Sequence, residues 1–122
     1  MAFEFHLRRR VEFAETDAAG IVHFSNFFRY MEAAEHAFIR SLGFSVMLDA
    51  FDPPLGFPRV HADCDYRAPL RFEEEFDIHL LVREKRTRSL AYHFRFRRLD
   101  GTEVARGNLA VVCVAHQPDG HL

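Results

Sequence analysis

A change of hydrophobic period, made once and then reversed, constrains this chain more than any other feature. Phe3, Phe5, Leu7, Val11 and Phe13 fall on odd positions, with Glu4, His6, Arg8, Arg10 and Glu12 between them. That is the period of a strand with one buried face. From Phe27 to Leu42 the spacing becomes i, i+3, i+4. Phe27, Tyr30, Met31, Ala34, Phe38 and Leu42 share one helix face, and Arg29, Glu32, His36 and Arg40 share the opposite one. After Pro58 the period returns to two. A single helix among strands leaves few architectures open.

The punctuation fixes the order of elements. Arg9 interrupts the first alternation and marks a bulge or an edge position. The run ends at Asp17-Ala18-Ala19-Gly20, where glycine permits a turn that a Cβ would hinder. Ser25 or Asn26 is expected to cap the helix and Gly43 to end it. Ser45 to Pro58, with Pro53, Pro54, Gly56 and Pro58, is expected to be a loop packed down by Phe51, Leu55 and Phe57. Three period-two runs follow, on Val60, Ala62, Cys64 and Tyr66, on Phe76, Ile78, Leu80 and Val82, and on Leu90, Tyr92, Phe94 and Phe96. Ala68-Pro69-Leu70-Arg71 breaks the first ladder, and Asp100-Gly101 predicts a tight hairpin after the third. Val104 to Ala115 closes the fold. Its second half, Leu109 to Ala115, is apolar on both parities, the mark of a central strand or a subunit contact. Gln117 to Leu122 reads as a frayed tail. The order predicts an α+β domain over residues 1–122, one long helix packed on one face of a largely antiparallel sheet.

Composition narrows the function classes. The 122 residues are 48% hydrophobic and 28% charged, with 14 Phe and no Trp. This suits one globular core, with the phenylalanines giving either a thick aromatic core or extra apolar surface for a partner or a ligand. A net charge of -2 argues against generic nucleic-acid binding, so any anion site must be local. Cys64 and Cys113 lack CxxC spacing and read as buried free thiols. Met1 to Arg10 lacks the apolar core of a signal peptide, and no run reaches the length of a membrane span, so the cytoplasm is the expected location. The eight His are scattered without metal-ligand spacing, so no metal is expected.

Asp17 stands where chemistry is possible. Aspartate is common in turns because its carboxylate accepts from nearby backbone N–H groups. A carboxylate just ahead of a helix also faces unpaired N–H groups and a partial positive charge. Those groups polarise a carbonyl and stabilise an oxyanion, while the carboxylate attacks or activates water.

The string Val11 to Tyr30, with Thr16-Asp17-Ala18-Ala19-Gly20-Ile21-Val22 at its centre and Ser25-Asn26 opening the helix, resembles the signature of the 4-hydroxybenzoyl-CoA thioesterase family of hotdog-fold proteins. The resemblance implies a hotdog fold, in which a five-stranded antiparallel sheet wraps one long central helix. It implies an acyl-CoA thioesterase acting on an aryl or short acyl group, with Asp17 as the catalytic carboxylate and the backbone amide of Phe24 polarising the thioester carbonyl. Gly20, His23 and Asn26 would belong to the substrate site. His23 suits a pocket wall, a substituent contact or proton chemistry, and Thr16 and Asn26 suit orienting the loop. No cofactor is implied, coenzyme A being part of the substrate. A homodimer or homotetramer with sites between subunits is.

The basic run Arg83, Lys85, Arg86, Arg88, Arg95, Arg97 and Arg98 holds one acid, Glu84. It is either two polar strand faces with their turn or a phosphate site. The resemblance assigns Arg86, Arg88 and Ser89 to the nucleotide of coenzyme A, and an acyl carrier protein is an alternative acyl donor. Glu32 and Glu35 on the helix are reserve carboxylates. A hydratase or dehydratase using His23 with one of them, or a non-catalytic acyl-CoA binding module, are the competing readings.

Overall fold

Helix α1 (Asn26–Ser41) lies against one face of a five-stranded antiparallel sheet with strand order β1-β4-β5-β6-β3. The strands are β1 (Glu4–Arg10), β3 (Arg59–Tyr66), β4 (Glu75–Lys85), β5 (Ser89–Arg98) and β6 (Glu103–Val112). Two short strands, β2 (Leu55–Gly56) and β7 (Val114–Ala115), pair separately. This computed structural model describes residues 3–45 and 54–115. The expectations for Phe51 and for the tail Gln117 to Leu122 lie outside the described residues. Among the described residues no helix is long and apolar enough to cross a membrane.

The alternating positions of β4, β5 and β6 make the core. Phe76, Ile78 and Leu80, then Tyr92, Phe94 and Phe96, then Ala105, Leu109 and Val111 form one buried face, and Val104, at a register shift against β5, is buried beside them. Against them α1 sets Phe27, Tyr30, Met31, Ala34 and Phe38. Each such large side chain, fully buried, stabilises the fold by about 1.5–3 kcal/mol. The helix approaches the sheet at Gly107, where an added Cβ would stand 2.0 Å from Met31 Cε and 3.2 Å from the Asp63 carbonyl oxygen. β6 is internal, between β5 and β3, as its two-faced apolar stretch requires.

Several local expectations change. Phe13 is 74% exposed, because the chain leaves β1 after Arg10 and turns through a one-turn 3-10 helix, Phe13–Glu15. The β1–β4 register is regular, so Arg9 marks an edge strand and not a bulge. Leu42 lies past the helix end and is exposed, with Gly43 beyond it at φ +90. Val60 and Tyr66 are also exposed, because β3 is the opposite edge strand and carries a bulge between Arg59 and His61. Leu55 and Gly56, expected in a loop, pair with Val114 and Ala115, which Cys113 separates from β6. Cys64 and Cys113 are free but only half-buried.

The helix cap also differs. Ser25 already has helical backbone angles (φ -62, ψ -26), so its hydroxyl does not reach the first-turn amides. It meets His23 Nδ1 at 2.8 Å instead. The Asn26 amide turns back and donates to the Glu15 carbonyl oxygen at 2.8 Å.

Candidate active site

The turn that holds Asp17 is built by its own carboxylate. Asp17 Oδ1 accepts from the Ala19 N–H at 2.8 Å and from the Ile21 N–H at 3.4 Å. The Asp17 N–H donates to the Ile21 carbonyl oxygen at 2.8 Å, and the Gly20 N–H to the Asp17 carbonyl oxygen at 3.0 Å. Gly20 sits at φ +80, the left-handed region in which glycine carries no steric penalty. Among the described residues Oδ2 has no protein partner. One carboxylate oxygen therefore fixes the turn and the other is left for a ligand.

Glu15, which the sequence did not single out, locks this turn to the helix. Its carboxylate accepts from the Tyr30 hydroxyl and the Glu12 N–H, both at 2.9 Å, with Arg9 at 3.4 Å. Its carbonyl oxygen accepts from the His23 N–H at 2.9 Å as well as from Asn26. Tyr30 is buried, and burial together with the neighbouring Glu15 carboxylate pushes its phenol far up, so it acts as a neutral donor. The sequence signal was the Glu12–Glu15 spacing, which resembles a capping box.

The helix start has one amide to spare. The N–H of Asn26 donates to the His23 carbonyl, that of Phe27 to the Phe24 carbonyl, and that of Phe28 to the Ser25 carbonyl. The Ser25 N–H meets His23 Nδ1 at 3.3 Å. Among the described residues the Phe24 N–H has no acceptor. Phe24 and Asp17 both line a cleft of about 510 Å³, with Ile21, Val22, Phe27, Tyr66, Arg67, Ala68, Pro69 and Leu70. The Tyr66 hydroxyl donates to the Phe24 carbonyl oxygen at 3.1 Å.

The other expected site residues separate into groups. His23 is exposed and stacks on Phe24, ring centroids 4.6 Å apart. Gly20 shapes the turn, and Asn26 is buried beneath the loop; none of these three lines the cleft. Glu35 is buried and paired with Arg59, which also reaches Glu32 at 3.1 Å, so neither reserve carboxylate lines the cleft. Burial pushes the Glu35 carboxyl up, and the Arg59 guanidinium opposes that shift.

Arg86 and Arg88 in the β4–β5 turn and Ser89 at the start of β5 surround a smaller cavity of about 170 Å³ that also touches Phe57 and Cys113. The Asp17 loop is tied to the other end of β4 through the Val11 N–H and the Glu74 carbonyl. Along β4 that separation is about 30 Å at roughly 3.3 Å per residue. A single chain does not bring the arginines to Asp17. The rest of the basic run disperses: Arg98 bonds the Pro69 carbonyl and Glu74, while Arg95 and Arg97 face away from the helix.

The fold also gathers Glu4, His6 and His79, whose ligand atoms lie within 4.8 Å of one another, a grouping that sequence spacing conceals. His6 and His79 are directly opposed across β1 and β4. Each ring already holds a carboxylate, Asp77 at 2.8 Å and Glu4 at 2.9 Å, and the rings stack 4.0 Å apart at 11°. In-plane lone pairs on parallel rings do not converge on one ion.

One helix held by a five-stranded antiparallel sheet, with a carboxylate turn just ahead of the helix, defines a hotdog-fold protein. The sequence profile of the Thioesterase-like superfamily matches residues 11–118, and the chain belongs to that family. A curated relative from Aquifex aeolicus (strain VF5) is 46% identical over 80 residues, 66% of this chain and 62% of the relative. A 1,4-dihydroxy-2-naphthoyl-CoA hydrolase from Prochlorococcus marinus (strain MIT 9313) is 30% identical over 99 residues, 75% of this chain and 65% of the relative. The matched stretches thus span somewhat under two thirds of these two relatives. Among solved structures, a gentisyl-coenzyme A thioesterase superposes with a TM-score of 0.82 at 34% identity, covering 91% of this chain and 89% of its own.

Proposed function

We propose that this protein is an acyl-CoA thioesterase that hydrolyses an aryl-CoA, or a short acyl-CoA, to the free acid and coenzyme A. One observation carries the reading: a carboxylate with one oxygen fixed and one unpaired shares an apolar cleft with an unpaired backbone N–H at a helix start. In the mechanism, the thioester carbonyl oxygen accepts from the Phe24 N–H, which stabilises the negative charge that grows there. Asp17 Oδ2 either attacks the carbonyl carbon, forming a mixed anhydride that water then opens, or takes a proton from a water that attacks. Both routes consume one water and release the acid and a thiol. Thiols have pKa values near 8.5, so the leaving group departs with little acid help.

The cleft volume and its Phe24, Phe27 and Leu70 walls suit an aromatic acyl group. The names of the relatives, acting on 1,4-dihydroxy-2-naphthoyl-CoA and gentisyl-CoA, support the same class. Arg86, Arg88 and Ser89 serve the phosphates of coenzyme A, or the phosphopantetheine of an acyl carrier protein, for the Asp17 of another subunit. This makes the working form a homodimer or homotetramer, in the cytoplasm. The exposed edge strand β3 is open to a second copy. The test is a thiol-release assay over aryl, short and long acyl-CoA substrates, with the acid product identified by mass. Turnover of an aryl-CoA is expected. Tight binding of acyl-CoA without thiol release contradicts the reading.

A further inference from the structure

The cleft is bordered by a cationic residue that the proposed mechanism does not use. Arg67 lines it, and is the one cation to do so among the described residues. Its backbone is fixed where β3 leaves the sheet, because the Arg67 and Ala68 N–H groups both donate to the Val104 carbonyl, at 2.8 and 3.1 Å. Its guanidinium is much less committed. The nearest carboxylate is Glu103, 3.8 Å away, and Glu103 is gripped through both oxygens by Arg106. No ion pair joins Arg67 to Asp17 among the described residues, so its charge does not serve to hold the reacting carboxylate. Half of the side chain is exposed, and apart from Asp17 and Tyr66 the other residues lining the cleft are apolar.

An under-partnered guanidinium beside apolar walls is suited to a ligand that is mostly hydrocarbon with one oxygen acceptor. A thioester whose carbonyl lies between Asp17 and the Phe24 N–H puts its acyl group in this same cleft. We propose that Arg67 is the residue that selects the acyl group: its guanidinium donates to an oxygen substituent there, so that a ring hydroxyl raises kcat/KM over the unsubstituted aryl thioester through Arg67 itself. This rests on the thioesterase reading above and adds to it the residue that selects the acyl group. The other anion a guanidinium could meet is a phosphate of coenzyme A, and the two sources make different demands on the substrate.

The experiment compares kcat/KM for benzoyl, 4-hydroxybenzoyl and 2,5-dihydroxybenzoyl thioesters, each made with coenzyme A and with N-acetylcysteamine, which has no phosphate. Wild type, Arg67→Met and Arg67→Lys are measured, with melting curves to establish folding. A charge-assisted hydrogen bond to a partly exposed guanidinium gives about a tenfold preference for at least one hydroxylated substrate over benzoyl. That ratio collapses towards one in Arg67→Met, is partly kept in Arg67→Lys, and behaves alike on both thiol carriers. A preference that survives Arg67→Met overturns the assignment, as does a loss common to all acyl groups or one confined to the coenzyme A series. Wild-type turnover of all three substrates without preference overturns Arg67 alone. No turnover of any thioester overturns the thioesterase reading and Arg67 with it.

Discussion

The Tyr66 hydroxyl donates to the Phe24 carbonyl oxygen across 3.1 Å, tying the end of edge strand β3 to the chain two residues ahead of the helix. The ring of Tyr66 also packs edge-on against Phe24 and Phe27, with centroids 6.4 and 5.3 Å away. Although the Tyr66 side chain is exposed, partial desolvation of its phenol, with the neighbouring Cys64 thiol, pushes it up to about 12, so it remains a donor through the neutral range. Phe24 is therefore held from the sheet as well as by the Phe27 N–H.

Tyr66→Phe keeps the ring and removes this hydrogen bond alone. A net bond of about 0.5–1.5 kcal/mol corresponds to roughly a two- to tenfold fall in kcat if it positions the Phe24 amide. KM should stay within about twofold by the same reasoning, since the bond acts on the reacting carbonyl and not on the coenzyme A handle. Steady-state kinetics beside a melting curve separate this from a general loss of fold.

Glu15 should matter for stability more than its place in a loop suggests. Glu15→Ala leaves the buried Tyr30 hydroxyl without its acceptor, at a cost of about 1–3 kcal/mol in urea unfolding. Adding Tyr30→Phe removes the orphaned hydroxyl, so the double variant should lose less than the sum of the two singles.

Arg59 shields a buried charge. Arg59→Met leaves Glu35, 1% exposed, without its cation and should destabilise the fold by about 3–5 kcal/mol near pH 7. The pH dependence has a definite sign. Burial already raises the Glu35 carboxyl above its ordinary 4.5, and losing Arg59 raises it further. A raised acid in the folded state gives stability that is present below 4.5 and is lost as pH rises through the folded value. The gap between wild type and Arg59→Met should thus narrow as pH falls from neutrality towards 4.5, as urea melts at several pH values would measure.

Arg88 should act on binding and not on chemistry. Arg88→Ala is expected to raise KM for acyl-CoA by about tenfold, the loss of one charge-assisted phosphate contact, with kcat little changed. The effect should vanish with N-acetylcysteamine thioesters and shrink as salt is added. Mixing Arg88→Ala with Asp17→Asn subunits tests whether the two residues of one site come from different chains.

The sequence revealed the fold where periodicity is enforced by a buried face. β4, β5 and α1 face the core on the positions their spacing predicts, and Gly20, Gly43 and Gly101 all fall at positive φ. Periodicity fails at the edges, where one side of the strand lacks cover; hence Val60 and Tyr66 are exposed despite their correct parity. Of the site, Asp17 stood out as a carboxylate in a turn just ahead of the helix, whereas Phe24 entered only through the family resemblance; the two line one cleft. Glu15, Tyr66 and Arg67 were not legible. Glu15 acts through a carbonyl and a buried phenol distant in sequence, and Tyr66 and Arg67 reach the cleft only because the loop after β3 folds beside the Asp17 turn. The same distance hides the His6–His79 pair, which exists only in the β1–β4 register.

The most direct test of the account is turnover by Asp17→Asn. The amide keeps an oxygen that can accept from the Ala19 N–H, so the turn should survive and coenzyme A affinity, read by calorimetry, should match wild type. With no carboxylate to attack or to activate water, kcat on an aryl-CoA should fall on the order of a thousandfold or more. A folded Asp17→Asn protein that hydrolyses its substrate within about tenfold of the wild-type rate, well short of a catalytic loss, would contradict the account.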